Sequence, residues 1–170
     1  MIEAVSYALL ENSPIGPLWV ATSDQGVVSL SFGGGELEFV GRVKKLTMTE
    51  PVQDRQNLDT VFWQLSSYLD GELREFDLPI CWFVMTEFQQ KALRHVHAIP
   101  YGELRSYNDI AHAVGNPKSI RAVGRANATN PIPIIVPCHR VIGSNGKLTG
   151  FAGGLETKAK LLQMEGSWLL

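Results

Sequence analysis

Short β-compatible runs crowd the beginning of this chain and capped helices fill its second half, which restricts it to an architecture with a sheet first and helices after. Val5 to Leu10, Leu18 to Thr22 and Val27 to Phe32 are short apolar runs. Ser13-Pro14-Ile15-Gly16-Pro17 and Asp24-Gln25-Gly26 separate them. Pro fixes φ and Gly permits positive φ, so both separators are turn chemistry, and the three runs predict a small antiparallel meander. Gly33-Gly34-Gly35 then breaks regular structure. It lacks the Lys-Ser/Thr ending of a phosphate-binding loop and reads as a flexible loop. Leu58, Val61, Phe62, Leu65 and Leu69 recur at helical spacing, with Gly71 placed to end that helix. Phe76 to Val84 reads as an extended apolar run, with Pro79 suggesting an edge position.

After Val84 the signals are helical. Thr86-Glu87-Phe88-Gln89 is a capping box, and its helix should run to about Ala98 before Pro100 and Gly102 stop it. Ser106, with Asp109 three residues on, caps a second helix that Gly115 closes. Asn116-Pro117 predicts a third helix from Lys118 to about Asn127, with Pro at its first position. Two short helices joined by a Gly-containing turn resemble a helix-turn-helix. Lys118, Arg121 and Arg125 are spaced to lie on one face of the second of them, a stripe able to track phosphates or simply to meet solvent. Ala122, Gly124 and Ala126 keep that helix slim. The fold class is therefore α+β, with an N-terminal domain over 1–85 and a helical C-terminal domain over 86–170.

The 170 residues suit one ordinary domain or two small ones, and 45% hydrophobic residues are enough for a core. The net charge of −2 hides a division. Residues 1–85 carry 5 Lys+Arg and 12 Asp+Glu, a net of −7, whereas residues 86–170 carry 10 and 5, a net of +5. All four histidines lie in the positive half. Such asymmetry hints at nucleic-acid contact. No apolar run approaches the length of a membrane span, and Met1-Ile2-Glu3-Ala4 lacks a signal peptide's basic start. Two cysteines, Cys81 and Cys138, are too few for a disulfide scaffold and point to a reducing, cytoplasmic setting.

The segment from Asn130 to Val141, Asn-Pro-Ile-Pro-Ile-Ile-Val-Pro-Cys-His-Arg-Val, carries the chemistry. Ile132 to Val136 suits a buried strand, and Pro137 ends it so that Cys138 stands at the mouth of a turn. A thiolate is the nucleophilic form of cysteine, and His139 and Arg140 are candidates to favour it. Taken alone, a Cys-His pair is weak evidence and reads better as an inert structural cysteine.

The whole segment resembles the active-site signature of the O6-alkylguanine-DNA alkyltransferases, also called methylated-DNA–protein-cysteine methyltransferases. The resemblance extends through Phe88-Gln89-Gln90, Ile99-Pro100-Tyr101-Gly102, Ser106-Tyr107, Arg121-Ala122-Val123-Gly124 and Gly153-Gly154 to Leu161-Leu162 and Glu165-Gly166, and more loosely to the Ser13–Leu18 hairpin. It implies a protein that binds the minor groove of double-stranded DNA through its helix-turn-helix. It flips an O6-alkylated guanine into a pocket and transfers the alkyl group irreversibly to Cys138. His139 and Glu165 match the family's Glu–His–water relay, and Asn130 matches the residue that holds the active-site turn. Tyr107 matches the tyrosine that contacts the flipped base and helps rotate its phosphate. Arg121 matches the arginine that fills the gap in the duplex. Lys118 and Arg125 are left with backbone contacts. The resemblance implies a monomer when free and no cofactor.

Several positions depart from the family pattern. Phe151 stands where many members have Tyr, Ala152 where some have Ser, and Ala128 where a Gly is common. Asn127 stands where some relatives pack a bulkier apolar residue, so it bears on substrate size. The first half has no Cys/His cluster, so no structural metal is expected and Cys81 reads as a small core residue. His95 and His97 cannot share one helix face, and His112 adds no ligand spacing. Trp63 and Trp82 are expected in the core or at an interface. Two other readings compete with alkyl transfer: a non-catalytic helix-turn-helix regulator, and a cysteine hydrolase, which the absent Gly-x-x-Cys helix start disfavours.

Overall fold

A computed structural model describes residues 1–168, and the chain divides into two compact units, Met1–Val84 and Met85–Leu170. In the first unit, β1 (Val5–Leu10), β2 (Leu18–Ser23) and β3 (Gly26–Phe32) form the expected antiparallel meander. The turn residues fix the register, with Leu10 opposite Leu18 and Ser23 opposite Gly26. Then come α1 (Glu36–Thr47), the two-residue β4 (Val52–Gln53) and α2 (Asp59–Leu69). The sheet order is β3-β2-β1-β4, with β4 parallel to β1.

Val5, Tyr7, Trp19 and Ala21 alternate along β1 and β2 and form one core cluster with Phe39 and Val43 of α1 and with Cys81. Trp19 stacks on Phe39 at 5.9 Å, and the Tyr7 hydroxyl donates to Glu36 at 2.7 Å, which ties the start of α1 to the sheet. Cys81 is a buried free thiol, as expected of a small core residue. Trp63 is two-thirds exposed on α2 and takes no part in the core.

One expectation in this unit needs correction. Phe76 to Val84 is not a strand. Only Ile80 bridges Val27, and a 3-10 turn follows at Trp82–Val84. Pro79 has no N–H for a ladder, but its carbonyl accepts from Val27 N at 2.9 Å. That approach requires Gly26, because a Cβ there would lie 2.5 Å from the Pro79 oxygen. The glycine triplet is a loop, as expected, and its last residue, Gly35, is the N-cap of α1 with no side-chain cap. Without a polar cap, and with Gly41 inside it, α1 left little local signal.

The second unit begins with α3 (Glu87–His97), α4 (Tyr107–Val114) and α5 (Ile120–Ala128), which pack on one another. Both predicted capping boxes form: Thr86 with Gln89, and Ser106 with Asp109. Gly115 closes α4 at φ +90°. The third helix starts later than expected, after Ser119. The Asn116 side chain accepts from Lys118 N at 3.2 Å and its carbonyl from Ser119 N at 2.9 Å, so Asn116–Ser119 is a turn and Lys118 precedes the helix. Ile132 to Val136 is buried as predicted but is a turn, with Ile134 at φ +74° and one bridge between Pro133 and Val136. Prolines at 131, 133 and 137 deny it the donors of a ladder. A 3-10 turn over Cys138–Arg140, β6 (Val141–Ile142) and α6 (Leu155–Met164) complete the unit.

Candidate active site

The turn that carries Cys138 is held by two asparagines. Asn130 Oδ1 accepts from Ile132 N at 3.0 Å, and its Nδ2 donates to Val136 O at 2.9 Å, so one side chain closes both ends of the loop. Asn127, buried on α5, donates from Nδ2 to Cys138 O at 3.2 Å. The chain then leaves through β6, which pairs in parallel with β5 (Arg105–Ser106), with Arg105 opposite Val141 and Ser106 opposite Ile142. Ser106 is also the N-cap of α4. A two-residue ladder thus sets the cysteine against the start of the helix-turn-helix.

Cys138 and His139 are buried, and Glu165 reaches His139 from the end of α6. His139 Nε2 lies 2.8 Å from Glu165 Oε2. Because a carboxylate accepts, Nε2 carries the hydrogen and Nδ1 is the basic nitrogen. Arg140 does not serve as the expected counter-ion of the thiol. Its Nε donates to Glu165 Oε1 at 2.8 Å and its Nη2 to Oε2 at 3.0 Å. Gly102 N approaches the same carboxylate at 3.5 Å. Gly102 is at φ +80°, and a Cβ there would stand 3.2 Å from the Glu165 carbonyl. The Ile99–Gly102 bend is therefore shaped to let the helix end approach.

Burial pushes the Cys138 thiol up to about 11, against the opposing effects of the Asn130 side chain and the Lys158 charge. Burial also lowers the His139 ring below its ordinary value, against the pull of Glu165. Glu165 is held down at about 2: burial works against its ionisation, but the hydrogen bonds and charges of His139 and Arg140 outweigh it.

Lys158 is a buried residue that the sequence reading passed over. Its Nζ donates to Val141 O at 2.7 Å and to Thr149 O at 2.9 Å, and burial lowers it to about 8. One signal was available: positions 158, 161, 162 and 165 share a face of α6, and two charged residues interrupt its leucines.

The remaining predicted residues divide between the surroundings of His139 and Thr149 and the surface. Phe151 stands edge-on to His139, with ring centroids 6.4 Å apart. Ala152 is exposed beside it. The Tyr107 hydroxyl is 2.8 Å from Thr149 Oγ1, which joins α4 to the loop that Lys158 holds. Arg121 and Arg125 are exposed one turn apart on α5, and Lys118 is exposed on the turn before it. Among the described residues, no group of His, Cys, Asp and Glu is arranged to hold a metal, and no helix is long and apolar enough to cross a membrane.

Comparison with known proteins identifies the family. Residues 5–81 match the family model described as 6-O-methylguanine DNA methyltransferase, ribonuclease-like domain, and residues 87–167 the one described as 6-O-methylguanine DNA methyltransferase, DNA binding domain. A methylated-DNA–protein-cysteine methyltransferase of Methanosarcina acetivorans is 46% identical over 95% of this chain and 98% of its own length. The constitutive enzyme of that name from Bacillus subtilis is 42% identical over 95% and 96%. The solved structure of Mycobacterium tuberculosis OGT in complex with DNA has a TM-score of 0.80 at 40% identity, covering 95% of this chain and 93% of that one. With one model over each unit and relatives matched nearly end to end, the chain belongs to the methylated-DNA–protein-cysteine methyltransferase family.

Proposed function

We propose that this protein repairs double-stranded DNA containing O6-alkylguanine by moving the alkyl group irreversibly to Cys138, once per molecule. The observation that carries this reading is the arrival of Glu165 at 2.8 Å from His139, next to a buried cysteine. A thiol held near 11 is protonated at rest, so its proton must leave as the attack occurs. His139 Nδ1 takes it through a water while Glu165 orients the ring and stabilises the transient imidazolium. The sulfur electron pair attacks the alkyl carbon in line, the S–C bond forms and the C–O6 bond breaks. Guanine leaves with that electron pair and takes up a proton from solvent, while the imidazolium gives one back to solvent, so no net proton is gained or lost. Lys158 lowers the cost of the negative sulfur through its charge. No cofactor enters the step.

The helical domain, residues 86–170, is the DNA-binding and alkyl-accepting part, and residues 1–85 are its scaffold. On this reading α4 and α5 enter the minor groove and Arg121 fills the gap left by the flipped base. Tyr107 contacts that base and its phosphate, and Lys118 and Arg125 meet the backbone. Phe151 stacks in the pocket, Ala152 N–H donates to O6, and Asn127 and Asn130 keep the cysteine turn in place. A reducing, cytoplasmic setting suits a reaction that needs a free thiol.

Intact-mass measurement after incubation with duplex DNA carrying O6-methylguanine tests the assignment. A stoichiometric gain of one methyl, absent in Cys138→Ala, is expected. Tight binding without a mass gain would replace this reading with a DNA-binding regulator.

A further inference from the structure

Arg140 lies two residues after the nucleophile, yet its guanidinium is bound to the relay's carboxylate. Nε and Nη2 engage the two oxygens of Glu165, Nη1 donates to Ile99 O at 2.7 Å, and the Tyr101 ring lies 5.7 Å away. Oε2 therefore accepts from both Arg140 and His139. The arrangement resolves a conflict within the relay. A buried carboxylate that orients an imidazole also draws a proton onto it. A unit charge about 4 Å away, at an effective dielectric of about 20, moves an ionisation by about three pH units. An imidazolium has no lone pair on Nδ1 and cannot take the cysteine proton.

Burial of the ring is the largest influence that keeps it neutral, and the charges that face it add to or oppose that influence. Glu165 contributes one negative charge. Arg140, on the same turn, and Lys158, from α6, each contribute a positive one. The Cys138 thiol is neutral at rest. His97 on α3 is coupled to Arg140, and the Tyr101 ring faces the Arg140 guanidinium. Without Arg140 the carboxylate would act on the ring with its full charge.

We propose that Arg140 is a positioning residue acting through Glu165: by pairing with that carboxylate it keeps the resting His139 ring neutral, and so able to accept the Cys138 proton. The inference rests on the alkyl-transfer reading above. It differs from the sequence expectation, in which Arg140 acted on the thiol directly.

The test uses the full chain as wild type, Arg140→Lys and Arg140→Gln. His139 is titrated by its ring nitrogen NMR shifts, and single-turnover methyl transfer to the protein from methylated duplex DNA is followed against pH. Wild-type His139 should remain neutral at pH 7. Arg140→Lys, which keeps the charge, should titrate within about half a unit of wild type. Arg140→Gln should move both the titration and the acid limb of the rate profile upward by about one unit or more. Its rate should fall most at the acid end of the profile and approach wild type as the pH rises past the shifted titration. A charged wild-type His139 at pH 7, or an Arg140→Gln rate that falls equally at every pH, would overturn the proposal. If Arg140→Gln does not fold, the other two titrations decide. A wild type that accepts no methyl at any pH would remove the alkyl-transfer reading instead, while the titrations would still report on Arg140.

Discussion

Asn130 shows how one side chain can stand in for a missing sheet. The buried turn from Ile132 to Val136 has too many prolines to pair as a strand, and the amide of Asn130 supplies the donor and acceptor that a neighbouring strand would have given. Replacing it with Ala strands two buried backbone groups, Ile132 N–H and Val136 C=O. At about 1–3 kcal/mol for each buried group left unpaired, Asn130→Ala should lose about 2–6 kcal/mol in urea unfolding. Methyl transfer should slow as well, because the same turn aims Cys138. Asn130→Asp retains the acceptor for Ile132 and loses the donor to Val136, so it should fall between the two. An alanine variant as stable as wild type would show that the loop holds its shape without the clamp.

At the scale of elements, α5 joins two tasks along one helix. Its buried side carries Asn127 to the cysteine turn, while its exposed side presents Arg121 and Arg125. If Arg121 fills the space of a flipped base, its role exists only in duplex DNA. Arg121→Ala should therefore slow repair of methylated duplex by tenfold or more, a loss of about 1.4 kcal/mol, while leaving reaction with free O6-benzylguanine near wild type. Equal losses on both substrates, read by single-turnover kinetics, would remove that role. Helices α3 and α4 were legible because their ends are written locally: Thr86 with Gln89, Ser106 with Asp109, and Gly115 each act within four residues, whereas α6 begins on Gly154 with no side-chain cap and gave no such signal. What was not legible depended on distance or on missing donors. α1 starts on a glycine with no side-chain cap, and the Ile132–Val136 turn has the hydrophobicity of a strand but not its hydrogen-bonding capacity. The relay could be named only because Glu165-Gly166 resembles a family motif. No local pattern couples Glu165 to His139, and the buried Lys158 and the Arg140–Glu165 pair needed the tertiary structure.

For the whole molecule, the charge division follows the structural one, since moving the boundary from residue 85 to Val84 exchanges only the uncharged Met85. The +5 unit holds the buried charges as well as the exposed basic residues, so stability must respond to pH more than the whole chain's near-neutral total of −2 suggests. Glu165 is lowered from 4.5 to about 2, so it binds a proton more readily when unfolded. Its stabilising effect is complete above about pH 4.5 and is lost as the pH falls towards 2, on the order of 3 kcal/mol in all. His139 acts in the same direction over a higher range: its folded value lies below 6.5, so the unfolded chain gains the proton first and stability begins to fall below 6.5. On the alkaline side the two buried groups oppose each other. Lys158, lowered to about 8, makes stability rise with pH up to 10.5, whereas Cys138, raised from 9.0 to about 11, makes it fall over that interval. The acid limb is therefore the diagnostic one. Denaturant unfolding of wild type at fixed pH between about 3 and 7 should show a decline that begins below 6.5 and steepens below 4.5. Glu165→Gln should be less stable than wild type at neutral pH, because it leaves Arg140 buried without its counter-charge. The gap should narrow towards about pH 3, where the wild-type carboxylate loses its advantage. Curves that remain parallel to the acid end would place the pH dependence outside the His139–Glu165–Arg140 cluster.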